Sequence, residues 1–241
     1  MEYDTLLSVI KRRRSIRQYQ PEPVSLDNVM KVLEAARWAP SGNNSQPWEF
    51  VVVRSKDKLR QVVDIFIEQS LRLRDYSVNF KHAPNKAYLN NASALIFVCA
   101  DPRFKPAYPR SNANEEMAKM YRENAERIYL ETITAAICNI LLAATSLGLG
   151  TVWLTGAGES ITERQLKVAL KIPEMLDIIC CIPLGYPSTE KPSPRTPRPL
   201  ENVVHFDEFD AGKWCTNQDV ERFVQDPHVS AQFFKTGRMP E

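Results

Sequence analysis

Arg12-Arg13-Arg14-Ser15-Ile16-Arg17-Gln18-Tyr19, then a helical segment, then Ala39-Pro40-Ser41-Gly42-Asn43-Asn44-Ser45-Gln46-Pro47-Trp48: the rest of the chain is organised around this stretch. Its first part is a basic knot. Guanidinium groups beside a hydroxyl suit a phosphate ester, because arginine offers a rigid fork of charge-assisted donors. Its last part is a loop whose small residues let backbone approach a ligand, with Asn and Gln amides that can hydrogen-bond a polar heterocycle. Ser15, Arg17 and Tyr19 alternate with Ile16 and Gln18, so an extended chain there presents Ser15 and Arg17 on one side and turns Ile16 to the core. The same run also reads as the solvated basic end of a helix, which the helix dipole favours.

Working outward, Leu6, Leu7, Val9 and Ile10 predict a first helix ending in the arginine run. Ser25 reads as the N-cap of a helix through Trp38, with Leu26, Val29, Met30, Leu33 and Ala36 at helical spacing. The β-branched run at 50–53 predicts a buried strand. Ser55 then caps a helix carrying Leu59, Val62, Val63, Phe66 and Ile67. Asn85 opens a short helical piece over 86–91, and 94–100 is a second strand. Residues 101 to about 125 read as polar and irregular, and a long excursion of that kind reads as a lid. The strongest helix is 128–147, apolar on several sides and ended by Gly148. Residues 151–154 form a strand leading into Thr155-Gly156-Ala157-Gly158, Thr162-x-x-Gln165 reads as a capping box, and 178–184 is a further strand. Five of the 17 prolines fall in 186–199, which makes that segment extended. Val203, Val204 and Phe206 predict a last strand, and Asn217 caps a helix through Val224.

Composition sets the outer bounds. A chain of 241 residues, 44% hydrophobic and 25% charged, builds one domain with appendages. A formal charge of +2 gives no case for nucleic acid as a bulk partner. The basic residues concentrate locally, at 11–17 and 195–198. Five cysteines, an odd number mostly in apolar runs, fit a reducing compartment better than a disulfide scaffold. His82, His205 and His228 have no ligand spacing with one another or with cysteine, so no metal site is expected. The longest apolar stretch, 133–144, is too short to span a bilayer, and the acidic N-terminus does not open a signal peptide. The expectation is a cytoplasmic protein with no membrane partner.

The paired motifs, Arg-Arg-Ser-x-Arg-x-Tyr at 13–19 and Ala-Pro-Ser-Gly-x-Asn-x-Gln-Pro-Trp at 39–48, resemble the flavin-dependent nitroreductase family. The resemblance covers roughly residues 6–206. It implies an α+β nitroreductase-like fold, with a central mostly antiparallel sheet flanked by helices, and an intertwined homodimer with two FMN sites at the interface. By the resemblance, Arg13, Arg14, Ser15 and Arg17 bind FMN, with Arg17 reaching toward the ring. Pro40, Ser41, Gly42 and Asn44 come from the other subunit and cover a flavin edge and face. Asn85 bonds the pyrimidine end. Leu154, Thr155 and Gly156 face N5, and Arg195 and Arg198 match a C-terminal basic pair on the phosphate. Trp153 and Thr155 stand where many members have Pro and Glu, and Tyr88 where some nicotinamide-using members have Lys.

The function so implied is an FMN-dependent oxidoreductase that carries electrons from NADH or NADPH to an electron-poor small molecule of nitroaromatic or quinone type. Because the flavin supplies the redox reactivity, no side-chain nucleophile or base is required. Specialised family chemistry, such as reductive dehalogenation or flavin cleavage, is the alternative, as is a non-catalytic flavin-binding or sensing protein. Residues 1–206 are the expected FMN-binding domain. The tail, 207–241, carries too many aromatics for a solvated appendage and is expected to pack on the dimer.

Overall fold

Two runs of unlike chemistry build the framework: an apolar strand buried on both faces, and a long helix that crosses behind it. The computed structural model describes residues 2–76, 85–188, 196–226, 230, 232–233 and 236–238. Its elements in chain order are α1 (Glu2–Arg12), α2 (Leu26–Arg37), β1 (Trp48–Val53), α3 (Lys56–Tyr76), β2 (Ala94–Ala100), α4 (Glu115–Ser146), β3 (Gly150–Thr151), α5 (Ser160–Leu170), β4 (Asp177–Gly185) and α6 (Asn217–Gln225). The strands form one antiparallel sheet in the order β1-β2-β4-β3. This is the α+β nitroreductase-like arrangement, a central antiparallel sheet flanked by helices.

All seven residues of β2 are buried, because both faces of the sheet are covered. Ile96 and Val98 point to one core, with α2 and α4. Leu95, Phe97 and Cys99 point to the other, with α3 and α5. Cys99, Cys180 and Cys181 are free and buried, and act as small hydrophobes. In α4, Ile133, Ala136, Ile137, Ile140, Leu141 and Ala144 form the buried stripe. The helix is long and apolar enough to cross a membrane, yet this stripe packs against the sheet and α2.

Several sequence-based expectations are corrected. The strand over 50–53 was expected to be buried, but β1 is an edge strand with only Trp48 and Val53 fully covered. On α2, Leu26 and Met30 are exposed and Val32 takes the core position instead. The excursion after residue 101 is irregular only in part, with a 3-10 helix at Pro102–Ala107 and α4 beginning at Glu115. There Asn114 caps the helix and Glu115 and Glu116 complement its dipole. Thr162 is not a cap: Glu159 caps α5 and accepts from the Thr162 N–H. Thr216, not Asn217, caps α6 in a reciprocal box with Asp219. The strand expected over 151–154 shrinks to Gly150–Thr151 plus a bridge at Leu154. Val203 and Phe206 are largely exposed and follow a 3-10 turn, not a strand.

The chain divides into two compact units, Met1–Glu190 and Lys191–Glu241, which groups 191–206 with the tail. Within the second unit the aromatics meet one another. His205 stacks on Phe209 at 4.3 Å between centroids, Trp214 meets Phe209 edge-on at 5.9 Å, and Phe223 meets Phe233 at 5.2 Å. Phe206, Phe209 and Trp214 stay more than half exposed.

Candidate functional site

The arginine knot ends α1 and passes into an extended strand. Arg14 turns its guanidinium back onto the main chain, donating to the carbonyls of Lys11 at 2.6 Å and Arg13 at 2.9 Å. The first of these satisfies an orphan carbonyl of the helix end. Ser15 then forms a parallel bridge with Thr151, and the Ile16 N–H donates to the Thr151 carbonyl at 2.8 Å. Ile16 turns inward, as the alternation requires, and packs against the α3 side of the core. Its fit is tight: a Cβ on Gly150 would lie 2.8 Å from Ile16 Cγ2. Tyr19 is buried, its hydroxyl donating to the Ile16 carbonyl at 2.8 Å. Of the two readings of this run, the extended one is observed from Ser15 onward.

Three expected segments converge here. Asn85 caps a 3-10 helix at Lys86–Asn91, its side chain accepting from the Ala87 N–H. Tyr88, on that turn, meets Arg17: burial pushes the phenol pKa up, while the nearby Arg17 charge and hydrogen bond pull it down. Leu154 exchanges backbone hydrogen bonds with Cys181 at 3.0 Å and leads into the 3-10 helix Thr155–Gly158. Thr151, the bridge partner of Ser15, has its Oγ1 buried with no hydrogen-bond partner among the described residues, and so has Trp153 Nε1, whose ring packs with the α2–α4 core. Leaving a buried polar group unpaired costs about 1–3 kcal/mol, so an outside partner at this place would be favoured.

The loop after α2 packs elsewhere. Pro40 is exposed. The Gly42 N–H donates to Thr132 Oγ1 at 3.1 Å, Asn43 Nδ2 to the Ala107 carbonyl at 3.0 Å, and the Ser45 and Tyr108 hydroxyls lie 3.1 Å apart. Ser41 Oγ accepts from the Gln46 N–H at 3.2 Å, and Asn44 Oδ1 from Gln46 Nε2 at 3.1 Å. Asn43, Asn44 and Gln46 all hold left-handed φ near 50° (53°, 51° and 45°), a strained setting that clusters at binding loops. A Cβ on Gly42 would meet Ile128 and come within 2.9 Å of Tyr108 Cε1. Gly42→Ala should therefore cost about 1–3 kcal/mol by overpacking, read as a lower urea midpoint. Wild-type stability in that variant would contradict the fit.

Of the two C-terminal arginines, Arg195 lies outside the described residues. Arg198, in the second unit, donates to the Asn202 carbonyl at 3.2 Å. His82 and His228 also lie outside the described residues. His205 Nδ1 accepts from the Asp210 N–H. No group of His, Cys, Asp or Glu able to hold a metal occurs among the described residues.

The sequence reading missed a buried polar set on α3. Gln69 is 2% exposed, takes a hydrogen bond from Lys86 Nζ, and donates to the Gly156 carbonyl at 2.5 Å. One turn on, Arg72 donates to Thr162 Oγ1 at 2.9 Å and to Glu159 at 3.3 Å. Burial pushes the Glu159 carboxyl up, but the bonds from Thr162 and Arg72 outweigh it and hold the group below its ordinary range. The available signal was a glutamine in register with Leu59, Val62 and Phe66 on an apolar helix face.

A family model described as the nitroreductase family matches residues 10–186, and the chain belongs to that family. Among its relatives, a provisionally named NADH dehydrogenase/NAD(P)H nitroreductase from Archaeoglobus fulgidus is 35% identical over 185 residues, 77% of this chain and 87% of that one. An iodotyrosine deiodinase from Nematostella vectensis is 28% identical, over 81% of this chain and 72% of that one. An FMN-dependent nitroreductase from Clostridium difficile R20291 has a similar structure, with a TM-score of 0.61 and 25% identity, covering 84% of this chain and 99% of that one.

Proposed function

We propose that this protein is an FMN-dependent oxidoreductase using NADH or NADPH to reduce an electron-poor small molecule of nitroaromatic or quinone type. The observation that carries the reading is the bridge of Ser15 to Thr151, whose hydroxyl is buried and unpartnered among the described residues, together with the contact of Arg17 with Tyr88 on the turn after Asn85. The residues fit a phosphate-bearing flavin: cations at one end, hydrogen-bonding groups along the edge, and no dinucleotide glycine fingerprint. When bound, FMN supplies hydride acceptance from the nicotinamide and electron delivery to the acceptor. The chain's own part is binding and electrostatics. Arg13 and Ser15 hold the phosphate and ribityl end. Arg17, held by Tyr88, sets a fixed positive charge toward the ring, where negative charge develops on reduction. Leu154, Thr155 and Gly156 present backbone to the hydride-accepting edge.

The protein works, on this reading, as a homodimer in which Pro40, Ser41, Gly42 and Asn44 complete the partner's site. Supporting it, a groove of about 720 Å³ between α1, α2 and α4 is bordered by Leu6, Val9, Trp38, Leu142 and Ala143. Leu6 and Trp38 are 55% and 74% exposed in the single chain. Steady-state kinetics test the reaction: varying nicotinamide and acceptor together should give the parallel lines of a ping-pong scheme. Intersecting lines would sink the shared-pocket mechanism. A second reading, reductive dehalogenation, draws support from the deiodinase relatives. It expects turnover of a halogenated phenol at rates the nitroaromatic and quinone acceptors do not match.

A further inference from the structure

α3 grips the 155–159 loop at two points one turn apart. Gln69 and Arg72 are i and i+3 on one helix face. Gln69 reaches the Gly156 carbonyl, and Arg72 reaches Glu159, which caps α5. On the far side of Gln69 stands Lys86, the residue after Asn85. Its ammonium also lies 5.4 Å from the centroid of the Phe66 ring. Lysine has only donors and a carbonyl only accepts, so the Gln69 amide has a single possible orientation: Oε1 toward Lys86, Nε2 toward Gly156. The result is a directed chain, cation to amide to carbonyl, in a buried setting where successive hydrogen bonds polarise one another.

The fit is reciprocal. A Cβ at residue 156 would lie 2.6 Å from Gln69 Nε2 and 2.8 Å from Oε1, so the amide and the glycine require each other. The same Gly156 carbonyl also accepts from the Glu159 N–H at 3.3 Å. With that carbonyl drawn inward toward α3, the orientation of the Gly156–Ala157 peptide is fixed, while Thr155 just before it is exposed. Burial pushes the Lys86 pKa down, with nearby Cys181 and Glu159 opposing, which fits an ammonium enclosed by the fold.

We propose that Lys86 and Gln69 are positioning residues that fix the Gly156 peptide, and through it the hydride-accepting edge of the site; the redox part rests on the FMN reading above. Neither residue needs to touch a ligand. They act by holding backbone in the one orientation that can stabilise charge on reduction.

Gln69→Glu separates this role from simple space filling. The new carboxylate keeps the volume and the Lys86 partner, but sets an acceptor against the Gly156 carbonyl. Lys86→Met removes the cation and keeps the chain length. Two readouts apply to the full-length protein. Amide exchange at 155–159, measured without flavin, should speed up about tenfold or more in Gln69→Glu and less in Lys86→Met. The midpoint potential of bound FMN should fall as reduced flavin loses about tenfold in relative affinity, close to 30 mV for a two-electron couple. A purely structural role would lower the melting temperature without moving the potential, and that result overturns the proposal. Wild-type loop exchange in both variants overturns it as well. If the wild-type protein takes up no FMN, the flavin reading fails, and the exchange measurement still decides whether the relay orders the loop.

Discussion

Arg13→Ala is expected to weaken FMN binding by roughly one to two orders of magnitude, the about 1.5–3 kcal/mol carried by a hydrogen bond to a charged group. Arg13 is half-buried where α1 hands over to the extended run from Ser15, two residues before that proposed phosphate-binding hydroxyl. Arg14 supplies the control within the same knot. Two of its donors are already bound to the Lys11 and Arg13 carbonyls, so Arg14→Ala should change flavin affinity far less and act mainly on the end of α1. Fluorescence titration of the two apoproteins with FMN gives both numbers. Equal affinities in Arg13→Ala and wild type would remove the knot from the site.

Leu6→Asp should convert the proposed dimer to monomers and release the flavin with them. Leu6 is more than half exposed on α1 beside the groove with Trp38, Leu142 and Ala143. Trp38 is held in place there by a 2.8 Å hydrogen bond to Glu34 and by Arg37 lying 5.5 Å from its ring centroid. An unpaired carboxylate buried at such a face costs about 3–5 kcal/mol, and two-fold symmetry introduces it twice. In the monomer an exposed Asp costs little, so the fold should survive. Light scattering with flavin absorbance tests this. A flavin-loaded monomer of the wild-type protein would contradict the shared site, and a Leu6→Asp dimer would move the interface elsewhere.

How much of this was legible in the sequence depends on what each residue answers to. The central strand was plain, because burial on both faces leaves nothing but apolar residues from Ala94 to Ala100. β1 shows the limit of that signal: a continuous β-branched run looked buried, yet the strand sits at the sheet edge, and which strand lies outermost is a property of topology. The first turns of α4 were missed because Glu115–Glu123 is polar and mostly exposed, so no apolar period marks it. The motif residues of the site could be read as types at a spacing. Their supports could not. Thr132, Tyr108, Gln69 and Lys86 reach their partners from 17 to 90 positions away, distances that only the fold makes short. The caps at Glu159 and Thr216 each displaced a neighbouring choice of cap, since helix ends shift by a residue or more when tertiary bonds compete.

The most direct test of the central claim is the absorbance spectrum of the purified protein, taken before and after adding NADH or NADPH without oxygen. The account predicts flavin bands from FMN, held by the protein, that bleach with one or both nicotinamides and return when a quinone or nitroaromatic is added. A colourless protein that gains no flavin spectrum on mixing with FMN would contradict it.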